Sequence, residues 1–229
     1  MDIAKYIYSI LLFFRRLHKQ PSSFTFNNRE LSYFEHPYNG TWMNERAIEI
    51  PLIWEQVISH SPSTVLEVGN VLSHYFAVEH LVIDKYEHRP GVISEDILDV
   101  NLSQNFDCIV SISTLEHIGW DEIPRVPGKY IQAIRKMKQL LSTNGKLFAT
   151  IPLGYNPNID QDLFNEKLGC NQVFYFKRLT KDAWQETSID HVRNSRYGKL
   201  YRTTDGLALC VWQKVTSVSK LQNTNPIAK

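Results

Sequence analysis

Nine residues at or just after the ends of four short apolar runs have side chains or backbones suited to ligand binding. They are Glu67, Gly69, Asn70, Asp84, Asp96, Ser113, Thr114, Glu116 and His117. A carboxylate can accept hydrogen bonds from two neighbouring hydroxyls, which suits Asp84 to a ribose. Gly69 allows a ligand to approach the backbone where a Cβ would collide, and Asp96 can accept from an exocyclic amine. The set therefore suggests a nucleoside site.

His117 is the best candidate for a proton acceptor in this set, because histidine side chains take up a proton near neutral pH. His74 and Glu116 are weaker candidates. An equally simple interpretation is that His117 packs or caps the loop after the fourth run. An aspartate after a strand is likewise commonly a turn or cap residue, so it is the joint occurrence of these residues that favours a site.

Short β-forming runs alternate with helical patterns in the part of the chain that carries these residues. The expected strands are Thr64–Val68, Leu81–Ile83, Val92–Ser94, Cys108–Ile112 and Lys146–Ile151. The expected helices are Tyr130–Leu141 and Asn44–Ser59, and Pro51 should kink or break the latter. The alternation predicts an α/β fold with a doubly wound, mostly parallel sheet. Ligands bind such sheets at the carboxyl ends of the strands, where the candidate residues fall.

Several segments combine into a more specific pattern. The segment 64–71 reads TVLEVGNV, HLVID ends at Asp84, SEDI surrounds Asp96, 106–119 reads FDCIVSISTLEHIG and 141–153 reads LSTNGKLFATIPL. Together they resemble the cofactor-binding half of class I S-adenosylmethionine-dependent methyltransferases, over roughly Val65 to Gly154. The resemblance implies a Rossmann-like, seven-stranded sheet whose last strand is antiparallel, a place that Leu207–Lys214 would take.

The resemblance also implies a cofactor, S-adenosyl-L-methionine, and a set of residues that bind it. Glu67 and Gly69, with the adjacent Asn70, match the family's first motif, which lines the methionine part of the cofactor. Asp84 matches the ribose-binding acid and Asp96 the acid near adenine. Ser113 and Thr114 match the stretch beside the cofactor, and Glu116 and His117 fall where the family often frames the reaction centre.

Two departures from the family pattern motivate an alternative. Val71 and Ser73 stand where the family usually has further glycines, and only eleven residues separate Gly69 from Leu81, so any crossover helix must be very short or distorted. The alternative is a non-catalytic protein of the same fold, with a degenerate cofactor site, that acts as a binding or regulatory partner. A nicotinamide-dependent oxidoreductase is disfavoured, because the chain has no G-x-G-x-x-G after the first strand and no Tyr-x-x-x-Lys pair.

Two polar and aromatic segments, Tyr38–Arg46 and Gly154–Asn158, are expected to shape an acceptor pocket, with Trp120, Asp121 and Glu122 at the same rim. Aromatic faces beside polar groups suit sugar rings. The sequence therefore predicts a small-molecule acceptor, such as a hydroxyl of a sugar or polysaccharide precursor. The simpler interpretation is an aromatic cover over the sheet.

The composition is that of an ordinary globular protein. The 229 residues are 43% hydrophobic and 21% charged, with a net charge of +1, so no bulk field favours nucleic acid. The cysteines at 108, 170 and 210 form neither a disulfide framework nor a metal-ligand pair, which predicts a reducing, cytoplasmic location. No metal site is expected, since neither H-E-x-x-H nor a Cys/His cluster occurs.

The chain divides into three expected parts. Residues 1–40 comprise an amphipathic helix and an extended lead-in, 41–216 the methyltransferase-like domain, and 217–229 a flexible tail. The apolar face of the first helix carries Ile3, Ile7, Ile10, Leu11, Phe14 and Leu17. Such a face can pack on its own domain, on a second subunit, or on a membrane surface, and the apolar run is too short to span a bilayer.

Overall fold

A computed structural model describes residues 7–13, 23–198 and 203–214. The strands are β1 (Ser23–Phe26), β2 (Arg29–Ser32), β3 (Val65–Val68), β4 (Leu81–Ile83), β5 (Val92–Ile93), β6 (Phe106–Ile112), β7 (Leu141–Pro152), β8 (Gln172–Thr180), β9 (Ala183–Thr187), β10 (Tyr197–Gly198), β11 (Thr203–Thr204) and β12 (Gly206–Gln213). The helices are α1 (7–13), α2 (Arg46–Ile58), α3 (Lys129–Gln139), α4 (Pro157–Phe164) and α5 (Ile189–Val192). The expected tail, 217–229, and the helix positions Ile3, Phe14 and Leu17 lie outside the described residues.

One large sheet with the strand order β5-β4-β3-β6-β7-β12-β8-β9 forms the centre of the protein. The strands from β5 to β7 pair in parallel, and β12 pairs antiparallel with both β7 and β8. The predicted fold class is therefore confirmed, including the antiparallel last strand. Within the described residues the sheet has eight strands rather than seven, because β9 forms a hairpin with β8 that the sequence analysis did not include.

Both faces of the sheet are covered, which is why its strands are apolar on both sides. Along β6, Cys108, Val110 and Ile112 belong to the core on the α2 side of the sheet, whereas Ile109 belongs to the opposite core. That opposite core includes an apolar stripe of α3 at helical spacing, formed by Tyr130, Ala133, Ile134 and Met137. Packing on both faces holds the parallel strands in place, and their carboxyl ends lie together at one edge of the sheet.

Helix α2 runs without interruption through Pro51, so the expected break at this residue is wrong. A proline in a helix leaves the carbonyl four residues earlier without its usual donor. Here that carbonyl belongs to Ala47, and it accepts instead from the backbone N–H of Phe34 at 2.9 Å. The lead-in to the domain therefore supplies the missing hydrogen bond.

The lead-in itself is not simply extended. Its β1 and β2 strands form an antiparallel hairpin in which Phe26 pairs with Arg29. Asn27 and Asn28 connect the strands with positive φ angles of 50° and 59°, the backbone that a two-residue hairpin turn requires and that asparagine tolerates. The Asn-Asn pair between β-forming residues was the signal for this turn in the sequence.

The crossover between β3 and β4 is as short as the spacing predicted. Its regular structure is a single 3-10 turn, Leu72–His74, between the two parallel strands. The amides at the start of such a turn have no acceptor within it, as at the start of any helix, which affects the role of Glu67 below.

The described part of α1 lies against the domain through Tyr8 and Leu12. The ring of Tyr8 packs edge-on to Trp42 at 6.0 Å between centroids, and Leu12 is buried. The predicted apolar face is not the buried one, because Ile7, Ile10 and Leu11 are exposed. None of the described helices has the length and apolar character needed to cross a membrane.

Candidate active site

A cavity of about 240 Å³ opens at the carboxyl ends of β3 to β6. Residues directly after each of these four strands form its walls, as expected for a ligand site in a parallel sheet. They include Gly69, Asn70, Val71, Asp84, Lys85, Tyr86, Glu95, Asp96, Ser113, Thr114, His117 and Ile118. Six of the seven residues predicted to bind a cofactor are therefore gathered around one space, which we call the first cavity.

Glu67 is the predicted residue that does not line the first cavity. Its side chain is fully buried; Oε1 accepts from the N–H groups of Val71 and Leu72 at 2.8 Å each, and Oε2 lies 2.9 Å from His80 Nε2. The structure thus corrects the predicted role of Glu67. Because the first amides of the 3-10 turn have no acceptor within the turn, Glu67 serves as their acceptor.

The Asp84 carboxylate is largely occupied by backbone amides. Oδ2 accepts from Asn70 N at 2.9 Å, and Oδ1 accepts from Tyr86 N at 2.8 Å and Glu87 N at 2.9 Å. A carboxylate has about four acceptor positions, so these three bonds leave room for about one more, at Oδ2. Asp84 can therefore accept from one ribose hydroxyl as it stands, rather than from two as predicted.

Gly69 is needed for a reason other than ligand approach. Its φ is +89°, and a Cβ at this position would lie 2.0 Å from Thr114 Oγ1 and 2.8 Å from Thr114 Cγ2. The expected clash with a ligand is thus a clash with the protein's own side chain. Close packing of Gly69 against Thr114 joins the end of β3 to the end of β6 and fixes the floor of the first cavity.

Ser113, directly after β6, has a backbone unusual for its residue type. Its φ is +42°, in the left-handed region that non-glycine residues seldom adopt outside constrained sites. The conformation is held by Ser113 N donating to Thr150 and by Ser113 Oγ donating to Glu49 Oε1 at 2.6 Å. The peptide after β6 is therefore fixed between the sheet and α2.

A network of two lysines and two carboxylates closes one side of the first cavity. Lys129 Nζ donates to Asp96 and Glu122 at 2.7 Å each, and Lys85 Nζ lies 3.2 Å and 3.0 Å from the same two carboxylates. Partial burial opposes ionisation of Asp96 and Glu122, but the lysines outweigh it and lower the pKa of both side chains. Asp96 thus lines the first cavity, as predicted, but its carboxylate is already paired with Lys85 and Lys129.

A second cavity of about 710 Å³ adjoins the first. It is lined by residues before α2, after β6 and after β7, and by β10: Asn39, Asn44, Glu45, Arg46, Ser113, Glu116, His117, Asp121, Pro152, Gly154, Tyr155 and Tyr197. Ser113 and His117 belong to the walls of both cavities. The two cavities are therefore neighbours across these two residues.

His117 is oriented by a carboxylate and a ring. Its Nδ1 lies 2.5 Å from Asp121 Oδ2, which also accepts from the Tyr155 hydroxyl at 2.7 Å. The Tyr155 ring packs on the imidazole at 4.6 Å between centroids. An Nδ1–H that donates to Asp121 leaves Nε2 as the acceptor nitrogen. Burial, with the hydrogen bond to Asp121, raises the pKa of Tyr155, so its hydroxyl keeps its proton and donates.

The second cavity ends in a buried acidic cluster. Glu45, Glu49 and Glu116 are all buried, and the partly buried Arg46 donates to Glu49. Burial, followed by the nearby Glu49, raises the pKa of Glu45 and raises that of Glu116 well above its usual range. Glu116 Oε2 is buried with no hydrogen-bond partner among the described residues.

Comparisons with known proteins give low-identity similarities. The sequence matches no family model and no curated protein. Among solved structures, the N-methyltransferase NodS from Bradyrhizobium japonicum is 14% identical over 75% of this chain and 97% of its own, with a TM-score of 0.40. A possible histamine N-methyltransferase from Thermotoga maritima is 12% identical over 71% and 88%, at 0.42. CalS10, an amino pentose methyltransferase from Micromonospora echinaspora, is 17% identical over 47% and 50%, at 0.33.

The strand order of the sheet, with β12 antiparallel between β7 and β8, decides the fold independently of these similarities. The chain has the class I methyltransferase fold. The sheet order and the antiparallel last strand thus agree with the fold that the sequence resemblance implied. Activity and substrate have to be argued from the two cavities.

Of the aromatic residues predicted to shape the acceptor pocket of this methyltransferase fold, Tyr155 lines the second cavity, whereas Tyr38 and Trp42 do not. Tyr38 stacks on His74 at 4.8 Å, and Trp42 is buried beside Tyr8. Tyr155 and Tyr197, which pack edge-on at 4.9 Å, supply the rings of the second cavity instead. The predicted segments do contribute polar lining through Asn39, Asn44, Glu45 and Arg46.

Sequence reasoning missed two groups of site residues. Lys85 and Tyr86 line the first cavity directly after Asp84, and their position after a strand end was a usable signal. Glu49 and Lys129 reach the site from helices and bind Ser113 and Asp96 across long stretches of sequence. No local pattern marks such contacts.

We expect Gly69→Ala to destabilise the protein by about 1–3 kcal/mol, because the new Cβ overlaps Thr114. Gly91→Ala is the matched control, since Gly91 has a similar φ of +85° but open space around it. This variant introduces the backbone strain of a positive φ without a steric overlap. Adding Thr114→Ala to Gly69→Ala should recover part of the loss. Urea unfolding gives the free energy of unfolding of the unchanged protein, the two single glycine variants and the double variant. Equal losses for the two single glycine variants would contradict the close packing.

Removing Lys129 should reduce the loss of stability that the protein shows as the pH falls into the acidic range. The lowered carboxyl pKa values mean that the network stabilises the fold above the ordinary carboxyl pKa, about 4, and that this contribution is lost as pH falls through the lowered values. Lys129→Met should therefore cost about 1–3 kcal/mol at neutral pH and progressively less in acid. Lys136→Met, on the same helix and with no ion pair among the described residues, is the control. A difference in stability between Lys129→Met and the unchanged protein that does not vary with pH would contradict the role of Lys129 in lowering the two carboxyl pKa values.

Proposed function

We propose that this protein is an S-adenosylmethionine-dependent methyltransferase that acts on a small molecule. The observation that carries the proposal is that Ser113 and His117 line both cavities. The first cavity has the position and the lining that the sequence resemblance assigns to the cofactor. The second provides separate room for an acceptor, in contact with the first at a candidate proton acceptor.

The residues of the first cavity fit the proposed cofactor. Asp84 Oδ2 has a remaining acceptor position for a ribose hydroxyl, and the exposed carboxylate of Glu95 lines the same wall. Ile83, Ile97 and Ile118 give apolar surface for a flat base. Val71, which replaces a family glycine, lines the cavity without filling it.

When bound, S-adenosylmethionine supplies a methyl group on a positively charged sulfur. The chain must then hold an acceptor hydroxyl in line with that methyl group and remove its proton. His117 Nε2 would take the proton of the acceptor hydroxyl, and the cofactor held by the first cavity would supply the methyl group to the hydroxyl oxygen. Asp121 stabilises the imidazolium that results, through its contact with Nδ1.

The acceptor is, in this proposal, a hydroxyl of a sugar or polysaccharide precursor. Tyr155 and Tyr197 provide aromatic surface for a sugar ring, and Asn39 and Asn44 provide amide groups for its hydroxyls. The volume of about 710 Å³ lies within the range typical of small-molecule sites.

A transfer assay with isotope-labelled S-adenosylmethionine and a panel of monosaccharides and nucleotide sugars tests the proposal. We expect labelled methyl ethers and an equal amount of S-adenosylhomocysteine, both dependent on His117. Binding of the cofactor without transfer to any hydroxylated acceptor would refute the hydroxyl assignment. Failure to bind the cofactor would favour the non-catalytic alternative.

A further inference from the structure

Glu116 is an unusual residue in the wall of the second cavity. Its side chain is 1% exposed, it follows β6 next to His117, and its Oε2 has no partner among the described residues. A buried carboxyl oxygen without a partner is costly, and such atoms are commonly completed by a ligand or an ordered water. Glu116 therefore marks a position beside the cavity where a hydrogen-bonding partner is missing.

The charges around Glu116 favour a positively charged donor. The described lining of the cavity contains the carboxylates of Glu45, Glu116 and Asp121 against one arginine, Arg46, which is itself bound to Glu49. Asp121 is engaged by His117 and Tyr155. Glu45 accepts from Thr203 Oγ1 at 2.9 Å and from Thr204 N at 3.3 Å, so it is partly satisfied. Among these acidic groups, Glu116 thus has the least compensation from neighbouring side chains.

We propose that the acceptor is an amino alcohol whose protonated amine binds against Glu116 and whose hydroxyl faces His117. This inference rests on the proposed methyltransferase function for the role of the hydroxyl. The anchoring of the amine depends only on the second cavity.

The geometry places the two groups of such an acceptor close together. Glu116 Oε1 lies 3.5 Å from His117 Nε2, so one small molecule can reach Glu116 with an amine and His117 with a hydroxyl. An ammonium group also offers three donors, enough for the unpartnered Oε2 and for a second oxygen. Burial raises the pKa of Glu116, and an ammonium group beside it would favour the carboxylate form and oppose that rise.

A neutral polyol satisfies the cavity less well. Its hydroxyl can donate one hydrogen bond to Glu116, but it brings no charge to balance the carboxylates. An anionic acceptor such as a sugar phosphate is disfavoured, because it adds negative charge beside Glu45 and Glu116. The amine is therefore the group that distinguishes the acceptor from other hydroxylated molecules.

Binding of three probes to the full chain in the presence of S-adenosylhomocysteine tests the inference. The probes are glucosamine, glucose and N-acetylglucosamine, measured by ligand-observed NMR at a pH where glucosamine is protonated. We expect glucosamine to bind roughly tenfold to a hundredfold more tightly than glucose, as for a hydrogen bond to a charged group. N-acetylglucosamine, which lacks the charge, should bind no better than glucose.

Two variants locate the preference. Glu116→Gln keeps the size of the side chain and removes its charge, so the ratio between glucosamine and glucose should fall close to one. Glu79→Gln makes the same change at an exposed residue before β4 and should leave the ratio unchanged. Thermal unfolding checks that both variants are folded; if Glu116→Gln is not, Glu45→Gln takes its place, with a partial loss of the ratio expected.

The inference is overturned if glucosamine does not bind, if glucose binds as tightly, or if the preference survives in the folded Glu116 and Glu45 variants. Affinity for S-adenosylhomocysteine, measured separately on the same samples, reports on the proposed function. If the protein binds the cofactor but shows no preference for the amine, the amine inference is wrong and the methyltransferase proposal is unaffected. An amine preference in a chain that binds no cofactor would remove the methyltransferase proposal alone.

Discussion

His117→Ala is expected to lower kcat by about 10²–10⁴-fold, the range typical for removal of a general base. In the structure this side chain lies in the wall of both cavities, and Asp121 orients its Nδ1. Affinity for S-adenosylhomocysteine should change by only a few-fold, because His117 is one of many residues around the first cavity. Single-turnover kinetics and calorimetry on the same preparation measure the two effects.

Asp121→Asn provides the matched comparison for His117. The amide keeps the size of the side chain but no longer stabilises an imidazolium, so kcat should fall less than in His117→Ala and KM should hardly change. An unchanged kcat in His117→Ala would show that this residue only packs on Tyr155, which is the simpler interpretation of its position.

Glu67→Ala is expected to destabilise the fold by about 3–5 kcal/mol, as for the loss of one partner in a buried charged network. The substitution leaves the amides of Val71 and Leu72, and the buried His80, without their acceptor. Urea unfolding monitored by tryptophan fluorescence gives the change in the free energy of unfolding.

Glu67→Gln separates the structural role from a ligand-binding role. Its amide oxygen can still accept from the two backbone N–H groups, so the loss of stability should be clearly smaller. Cofactor affinity of the folded Gln variant should equal that of the unchanged protein. A variant with normal stability but weakened cofactor binding would contradict the placement of Glu67 outside the first cavity.

The architecture was predictable because it depends on local patterns of hydrophobicity. Runs such as 106–112 and 206–213 are apolar on both faces, as strands buried under helices must be, and both form strands of the central sheet. The edge at which the site lies followed from the parallel order alone, so Gly69, Asp84 and Thr114 were placed correctly around one cavity. Even the short crossover after Gly69 followed from counting residues.

The partners of the site residues were not predictable, because they depend on contacts across the chain. Asp84 and Glu67 were assigned to a ligand, yet backbone amides from the loops that follow occupy most of their acceptor positions. Pro51 was expected to interrupt its helix, and the backbone of Phe34 prevents that. A carboxylate after a strand has the same sequence signature whether it binds a ligand or a turn.

The acidic cluster of the second cavity shows the same limit. Glu49 lies on α2, 64 residues before the Ser113 side chain to which it is bound. Its position in an otherwise apolar helical stripe reveals that it is buried, but not which residue it meets. The charge of the acceptor cavity therefore became apparent only from the folded chain.

Calorimetric titration of the protein with S-adenosylhomocysteine is the most direct test of the central claim, that the first cavity is a nucleoside site. We expect one molecule to bind per chain, and Asp84→Asn to weaken binding by roughly tenfold, as for a hydrogen bond to a charged group. Absence of binding to the unchanged protein, or an affinity that Asp84→Asn does not alter, would contradict the account.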